Sequence, residues 1–328
     1  METDPALEAQ AEREKRNSRW YTDTERFRSL YEKAVQEGVE RHSRMSVILN
    51  EVLPSDGWIL FVDMVERGSA GSPYIPFIDQ DRLRLAWRAQ TGNDSLDATR
   101  FQNDTMRYWL GFSPNDPRFV LYQPLRDGDR IIDLTGCCGM VLSGSEAFVS
   151  HDESPEHQAM SNKVLTLVSE ADARHIPLFG ICFGSQILNH AFGATVEWIN
   201  PREPEAAEVG LVRLEKTTAG KQHPLLAHIP DDSFYIHVAH RQHVDPAHIP
   251  NDLQVLASSE TSQVHIAERR ADHTILAIQG HPECTDAWAD ISYDLMNVPD
   301  KTSPQLFAGY TGPVSEQLFT GFLNMCRR

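Results

Sequence analysis

The sequence predicts an α/β fold with a central, mostly parallel sheet that has helices on both faces. Between residues 139 and 192, two buried apolar runs, Gly139–Leu142 and Leu178–Ile181, are each followed by a helical pattern. Parallel strands need a long crossover connection, usually a helix, so this order indicates parallel pairing. After residue 208 short apolar runs follow one another closely, which predicts an antiparallel section.

The elements can be assigned in chain order. Residues 1–55 are densely charged, with apolar residues at helical spacing around Tyr31 and Val35, and predict an N-terminal helical extension. Its apolar stripe would pack on the main domain or on a second subunit; the alternative is a partly frayed arm.

The main domain is predicted over 56–328, and Ser154 followed by Pro155 predicts a helix start. The predicted strands lie at 58–63, 119–122, 139–142, 178–181, 209–214, 234–238, 255–258, 264–268 and 274–278, and the helices at 83–89, 99–110, 155–174 and after 182.

Composition excludes several classes of function. The 328 residues carry 30 Lys and Arg against 47 Asp and Glu, a formal net charge of −17. Such an acidic surface repels phosphate backbones and anionic membranes, so we expect neither nucleic acid nor membrane as a partner. No apolar run is long enough to span a bilayer, and the acidic start lacks a secretory signal. Five scattered cysteines indicate reduced thiols and a cytoplasmic location.

The most informative segment places a cysteine between a buried strand and a helix. Cys182 is flanked two positions away by Gly180 and Gly184, which is the cysteine form of a nucleophile elbow. The turn would lift the thiol above the sheet edge, at a helix N-terminus whose dipole favours the thiolate. The backbone N–H of Phe183 would point to where an oxyanion forms. A buried structural cysteine in a tight turn is the alternative.

A second segment supplies the groups that a thiolate nucleophile needs. Gln279-Gly280-His281-Pro282-Glu283 offers an imidazole to take the thiol proton and a carboxylate to orient that imidazole. The alternative for His281 is a satisfied polar residue at a strand end. Cys182 and His281 are far apart in the chain, so the fold must bring them together.

These residues resemble the class I glutamine amidotransferase superfamily, whose nucleophile segment reads G-x-C-x-G-x-Q and whose later segment reads H-P-E. The resemblance covers about residues 130–285. Within the superfamily the chain is most similar to the GMP-synthase-type glutaminase branch. The segment Gln279-Gly280-His281-Pro282-Glu283 is especially similar to the Q-G-H-P-E of plant γ-glutamyl peptidases. The resemblance implies a flavodoxin-like three-layer α/β/α domain. It also implies an oxyanion hole formed by the backbone of Gly144 and Phe183. The substrate contacts it implies come from the glutamine that ends the G-x-C-x-G-x-Q motif and from the family's S-H-x-D-x-V loop. In this chain those contacts fall on Gln186, His240 and Gln242.

The substrate loop departs from the family pattern. It reads Ala239-His240-Arg241-Gln242-His243-Val244, so the serine and the aspartate of the family are replaced. The loop borders the amino-acid end of the substrate in the family, which makes free glutamine, as opposed to another γ-glutamyl amide, a less certain substrate.

Three functions remain open at this point. The first is a glutaminase that passes ammonia to a separate synthetase, since the chain contains no ATP-pyrophosphatase-like S-G-G-x-D-S segment. The second is a stand-alone hydrolase of γ-glutamyl peptides or conjugates, and the third is an inactive binding or scaffold protein. The chemistry requires no cofactor, and the expected partners are a small-molecule substrate and either a synthetase subunit or a second copy, bound through residues 1–55.

A run of histidines also raises the question of a metal site. His237, His240 and His243 are three residues apart, but a strand entering a loop does not place that spacing on one face. No Cys or carboxylate in the run completes a ligand set, so no metal site is predicted.

Overall fold

The computed structural model describes residues 23–65, 80–93, 101–149, 154–295 and 303–327, together with Ala11 and Lys15. Among the described residues the helices are α1 Thr24–Val52, α2 Gln80–Thr91, α3 Phe101–Trp109, α4 Pro155–Ala173, α5 Phe183–Ala191, α6 Thr218–Gln222, α7 Pro224–Ala227, α8 Asp286–Leu295, α9 Ser303–Ala308 and α10 Gly312–Met325. A short 3₁₀ helix spans Pro246–His248.

The strands form one large sheet and one small one. They are β1 Trp58–Val62, β2 Phe119–Tyr122, β3 Cys137–Leu142, β4 Leu178–Ile181, β5 Val196–Trp198, β6 Glu208–Lys216, β7 Ser233–His240, β8 Gln242–Val244, β9 Leu253–Ser258, β10 Ile266–Arg269 and β11 Ile275–Ile278. The order in the large sheet is β2-β1-β3-β4-β11-β10-β9-β6-β7, and β5 pairs with β8. The first five of these strands pair in parallel and the rest antiparallel, so the predicted fold class is confirmed.

Alternate residues of the parallel strands face opposite sides of the sheet. In β1, Ile59 and Phe61 pack on the side that α1 and α10 cover, whereas Leu60 and Val62 pack on the side of α4 and α5. Both faces are therefore apolar, as expected for strands buried between two helical layers. The three layers place the carboxyl ends of β3, β4 and β11 at one edge of the molecule.

One predicted strand begins later than the sequence indicated. The predicted strand at 264–268 is observed as β10, starting at Ile266. Its pairing with β9 shifts register between Ile266 and Ala267, and the segment before it is a turn in which Ser259 donates its N–H to the Ser262 carbonyl. Val264 and His265 therefore lie between this turn and the start of the regular ladder, although the His265 N–H still donates to the Ala257 carbonyl of β9.

The N-terminal helix α1 packs on the same chain. Its stripe of Phe27, Tyr31 and Val35 lies against α2 and α8 in one buried cluster. Farther along, Met45 and Leu49 join the cluster that contains β1. The packing of the stripe within the chain is thus described by the structure, whereas the division into domains at residue 55 stays a prediction.

A buried ion network fixes α1, α2 and α8 together. The Arg82 guanidinium on α2 lies 2.6 Å from Asp290 and 2.5 Å from Asp294 on α8. It also donates to the Tyr31 hydroxyl at 3.1 Å, and Tyr31 donates in turn to Asp290. Burial raises the pKa of Tyr31 far above its usual range, so its hydroxyl stays protonated as a donor.

Two further observations concern the thiols and the membrane. All five cysteines lie among the described residues, and all are free thiols. Among those same residues no helix has both the length and the hydropathy that crossing a bilayer demands.

Candidate active site

The backbone at Cys182 is strained, and the surrounding packing holds it there. Cys182 has φ of 50° and ψ of −108° and lies between β4 and α5 as the N-cap of that helix. A side chain at Gly180 would come within 2.5 Å of the Gly184 carbonyl, and one at Gly184 within 2.5 Å of the Leu142 carbonyl. Only glycine fits at either position, so the strand and the helix approach closely enough to enforce a sharp turn.

Hydrogen bonds fix the turn to the neighbouring strands. The Cys182 N–H donates to the Ile278 carbonyl at 2.8 Å, and the Gly184 N–H donates to the Ser143 carbonyl at 3.0 Å. Phe183 is the first residue of α5, so its N–H has no acceptor within the helix. The turn thereby leaves one backbone donor beside the thiol.

His281 and Glu283 stand next to each other after β11. The Nδ1 atom of His281 is 2.8 Å from Oε1 of Glu283, and the Glu283 side chain is only 3% exposed. The Glu283 backbone carbonyl accepts hydrogen bonds from the side chains of Gln90 and Trp109. Helices α2 and α3 therefore hold the backbone of Glu283 in place beside His281.

Opposing effects act on the His281 imidazole. Burial lowers its pKa, but the charges of Glu283 and Cys182 and hydrogen bonds to both raise it, and the net result lies well above the usual range. The cationic form of His281 is thus favoured by the neighbouring Glu283 carboxylate and by the Cys182 side chain.

Gly144 lies against both reactive groups. A Cβ atom at Gly144 would be 3.3 Å from Cε1 of His281 and 3.6 Å from Cβ of Cys182. The loop after β3 is held by Ser143, whose hydroxyl accepts the Met64 N–H at 2.8 Å. The backbone of this loop therefore passes within contact distance of the thiol.

A cavity of about 400 Å³ opens beside Cys182, within the size range of small-molecule sites. Its walls come from the loop after β3, the start of α5 and the turn between β7 and β8. The lining residues include Ser145, Glu146, Phe148, Gln186, Ala207, Val209, Ala239, His240, Arg241 and Gln242. The cavity combines charged and aromatic groups at its edge with the thiol.

The predicted substrate residues line this cavity, but their side chains are already engaged. The amide nitrogen of Gln186 donates to the Gln242 carbonyl at 2.8 Å and to Oε1 of Gln279 at 3.1 Å. The side-chain oxygen of Gln242 accepts the Val149 N–H at 3.0 Å. His240 is buried, with Nδ1 3.0 Å from the Gln242 carbonyl and Nε2 3.0 Å from Glu208.

Several residues at the site had no role in the sequence interpretation. Gln279 points its amide nitrogen at the Cys182 sulfur at 3.8 Å, and it belongs to the Q-G-H-P-E segment, which was a usable signal. Gln90 and Trp109 come from helices whose sequence gives no sign of a distant partner. Cys284 also lies close by, but burial raises its pKa to about 12, so it stays a thiol.

The three histidines at spacing of three are separated in space. His237 bonds with Asp286 and Tyr293, His240 faces Glu208, and His243 lies 3.9 Å from Glu197. The expectation that they do not share a face holds for these described residues. Carboxylates from other strands do face each of them, however, which the local sequence did not indicate.

Comparison with known proteins gives a consistent family. Residues 146–293 match the family model "Glutamine amidotransferase class-I". The glutamine-hydrolysing GMP synthases of Thermosipho africanus and Fusobacterium nucleatum are 32% identical over 146 residues and 28% identical over 147 residues. These stretches cover 44% and 45% of this chain but 24% of each relative, so the chain matches about a quarter of their length.

A solved structure agrees on the fold. A glutamine amidotransferase from Thermotoga maritima superposes with a TM-score of 0.53 at 18% identity, covering 83% of this chain and 97% of that one. At this identity the likeness concerns the fold. The matched segment contains Cys182, His281 and Glu283. Residues 146–293 of this chain are therefore similar to class I glutamine amidotransferases in sequence, and the fold agrees with that similarity.

Proposed function

We propose that the protein is a cysteine-dependent amidohydrolase that cleaves the γ-glutamyl amide bond, and that it acts as the glutaminase of a separate synthetase. Cys182 is the nucleophile, His281 the acid and base, and Glu283 the residue that orients His281. One observation carries the proposal: a cysteine at a strained strand-to-helix turn and an imidazole that lies 2.8 Å from a buried carboxylate both lie beside Gly144.

In the first step, the Cys182 sulfur attacks the γ-carbonyl carbon of the substrate. The thiol proton passes to His281, a C–S bond forms, and the carbonyl electron pair moves to oxygen. The Phe183 N–H and a backbone N–H at Gly144 or its neighbour stabilise this oxyanion. Glu283 stabilises the imidazolium that results, in keeping with the raised pKa of His281.

In the second step, the C–N bond breaks as His281 gives its proton to the leaving amine. The product is a thioester on Cys182. A water molecule then attacks the thioester carbonyl while His281 takes the water proton, and the C–S bond breaks to release the γ-carboxylic acid. The returned proton restores the thiol, so no external oxidant, reductant or cofactor is consumed.

The decisive variant is Cys182→Ser. We expect amide hydrolysis to fall by roughly 10⁴-fold or more, because removal of the nucleophile of such a unit removes nearly all turnover. The oxygen replaces a buried sulfur of similar shape, so the melting temperature should stay within a few degrees. Ammonia release from glutamine and glutamate release from a γ-glutamyl dipeptide are measured for both proteins.

Full activity of the serine variant would overturn the mechanism. Cys138→Ser is the matched control, because that thiol is partly exposed and far from the turn. Its activity should equal that of the wild type.

The proposed role with a synthetase rests on the relatives, which are described as glutamine-hydrolysing GMP synthases. The proposed partner supplies the ammonia acceptor, and the proposed location is the cytoplasm, where both would meet. An inactive scaffold would not need the joint placement of Cys182, His281 and Glu283.

A second function is favoured by the altered loop between β7 and β8. Ala239 and Gln242 stand where the family has a serine and an aspartate, and the Gln242 side chain is bound to Val149. A carboxylate to receive a substrate ammonium is therefore missing at that position. This supports a stand-alone hydrolase whose substrate is a larger γ-glutamyl amide.

A further inference from the structure

Three buried side chains converge behind the wall of the Cys182 cavity. Glu208 begins β6, His240 ends β7 directly opposite it, and His265 precedes β10. Their residues are only 8%, 5% and 1% exposed. The strands bring together residues that are 32 and 57 positions from Glu208 in the sequence.

The facing atoms are close together without being hydrogen-bonded. Oε2 of Glu208 lies 3.0 Å from Nε2 of His240 and 3.5 Å from Nε2 of His265. None of these three atoms has a hydrogen-bond partner, and neither has Nδ1 of His265. Buried polar atoms without partners are costly, so this group of atoms requires an explanation.

The surrounding hydrogen bonds determine which atoms are free to bind a cation. Nδ1 of His240 faces the Gln242 carbonyl at 3.0 Å, and a carbonyl only accepts, so the ring proton is on Nδ1. The Nε2 atom then carries a lone pair and lies 3.0 Å from Oε2 of Glu208. Oε1 of Glu208 accepts the Ser259 hydroxyl at 3.0 Å, which leaves Oε2 toward the imidazoles. Outer bonds of this kind are typical of metal-ligating histidines and carboxylates.

A proton on Nε2 of His240, in place of a metal, would satisfy fewer of the unpartnered atoms in this cluster. Protonation of Nε2 would make His240 an ion-pair partner of Glu208, but both nitrogens of His265 would remain unsatisfied. A cation shared by the three atoms uses Oε2 of Glu208 and the Nε2 lone pairs of both histidines, so that only Nδ1 of His265 is left without a partner.

Another cluster of the same composition provides an internal contrast. His223, Glu268 and His273 also bring their ligand atoms within 4.8 Å of one another. Here, however, Nδ1 of His223 accepts the Leu225 N–H, so the proton must be on Nε2, which lies 2.9 Å from Oε2 of Glu268. That nitrogen has no lone pair left for a metal.

We propose that Glu208, His240 and His265 form a site for a divalent transition metal, zinc being the best match. Two imidazole nitrogens and one carboxylate oxygen are a known zinc ligand set. Tetrahedral ligands about 2.0–2.1 Å from zinc lie about 3.3–3.4 Å from one another. The separations of 3.0 and 3.5 Å bracket that value. This site departs from the metal-free interpretation of the sequence.

The site would act on the shape of the cavity and not on the bond that breaks. His240 belongs both to the cluster and to the cavity lining. A bound ion would fix the ends of β6, β7 and β10 to one another and hold the cavity wall in place. Because the metal binds the folded state, it should also raise the melting temperature.

The test measures metal binding directly in the full-length Cys182→Ser protein, so that the thiol cannot serve as a zinc ligand. The protein is stripped with a chelator and titrated with Zn²⁺, and bound metal is counted after dialysis. We expect one equivalent per chain and a rise in melting temperature. Co²⁺ as a second probe should give the intense visible absorption of a tetrahedral site.

Variants locate the metal. Glu208→Gln and His265→Gln should each lower the zinc and cobalt affinity by 10-fold or more, whereas His223→Gln in the contrasting cluster should leave it unchanged. A folded Cys182→Ser protein that takes up neither ion overturns the proposal and identifies the cluster as a proton-bridged ion pair. Equal loss of binding in His223→Gln also overturns it. Neither outcome bears on the amidohydrolase activity, which the wild type reports separately.

Discussion

At the scale of single residues, the proposed chemistry depends on the opposing effects that burial and neighbouring groups have on the pKa of His281. Burial lowers the pKa of its imidazole, and the carboxylate of Glu283 together with Cys182 raises it further than burial lowers it. The cation is therefore more stable in the folded protein than in the unfolded chain. Folding and protonation of His281 are consequently linked.

The linkage predicts how Glu283→Gln affects stability at different pH values. A raised folded-state pKa gives a stabilisation that is complete below the unfolded value of 6.5 and is lost as the pH rises through the folded value. The variant removes the largest raising effect, so its loss of unfolding free energy should be larger at pH 6 than at pH 9. Thermal or urea unfolding at the two pH values measures this difference.

The control for that experiment is Glu170→Gln, which removes an equal charge from an exposed ion pair with Arg174. It corrects for the general effect of adding positive charge to a chain of net charge −17. A loss in Glu283→Gln that is equal at both pH values would contradict the assigned role of the carboxylate.

Much of the site could be predicted at this scale because local motifs carry it. The glycines that flank Cys182 indicate the sharp turn at that residue. The short spacing from His281 to Glu283 indicates that the carboxylate can contact the imidazole. The direction of the Gln242 side chain could not be predicted. It depends on the Val149 N–H, which a distant loop places 3.0 Å away.

At the scale of elements, α1 is an integral layer of the fold. Periodicity predicted its apolar stripe, and the structure buries Phe27, Tyr31 and Val35 against α2 and α8. The sequence could not identify these partners, because Arg82 and Asp290 read as ordinary surface charges of amphipathic helices. Only their tertiary placement makes them a buried network.

Arg82→Gln tests the network. The substitution leaves Asp290 and Asp294 buried without their cation, which we expect to cost about 3–5 kcal/mol of unfolding free energy. Arg28→Gln is the matched control on α1, because its pair with Asp81 is exposed and should contribute no more than about 1 kcal/mol. Urea unfolding followed by circular dichroism measures both. A loss below about 1 kcal/mol in Arg82→Gln would show that the network acts like a surface pair.

At the scale of the whole molecule, the match to about a quarter of each GMP synthase leaves the acceptor of the amine undetermined by homology. The residues at the edge of the cavity indicate the size of the leaving group that it could hold. Its edge carries Glu146, Phe148 and Arg241, and Phe148 packs on Trp198 with ring centroids 4.7 Å apart. A leaving group larger than ammonia would contact these residues.

We therefore predict a preference for a γ-glutamyl dipeptide over free glutamine. Both substrates carry the same α-ammonium, so loss of its charge-assisted hydrogen bond weakens both by about 1.5–3 kcal/mol, or about one to two orders of magnitude in affinity. The preference comes from the additional contacts of the larger leaving group. The double variant Ala239→Ser with Gln242→Asp should lower the KM for glutamine. Steady-state kinetics with both substrates provide the measurement.

Ala239→Ser with Gln242→Asn is the control, since it shortens the side chain and frees Val149 in the same way without adding charge. A wild-type KM for glutamine that neither variant changes would show that this loop does not select the substrate.

The pairing of β4 with β11 has a consequence for how such a protein can diverge. The two strands are direct neighbours, with Ile181 opposite Ile278, and they present Cys182 and His281 at the same edge. The chain between them leaves that edge, forms the antiparallel strands and the cavity wall, and returns. Insertions or exchanges within this excursion can change what enters the cavity, while the two strands keep the reacting groups in place. Selectivity and reactivity are thus inherited on separate parts of one sheet, and a new substrate can arise without rebuilding the chemistry.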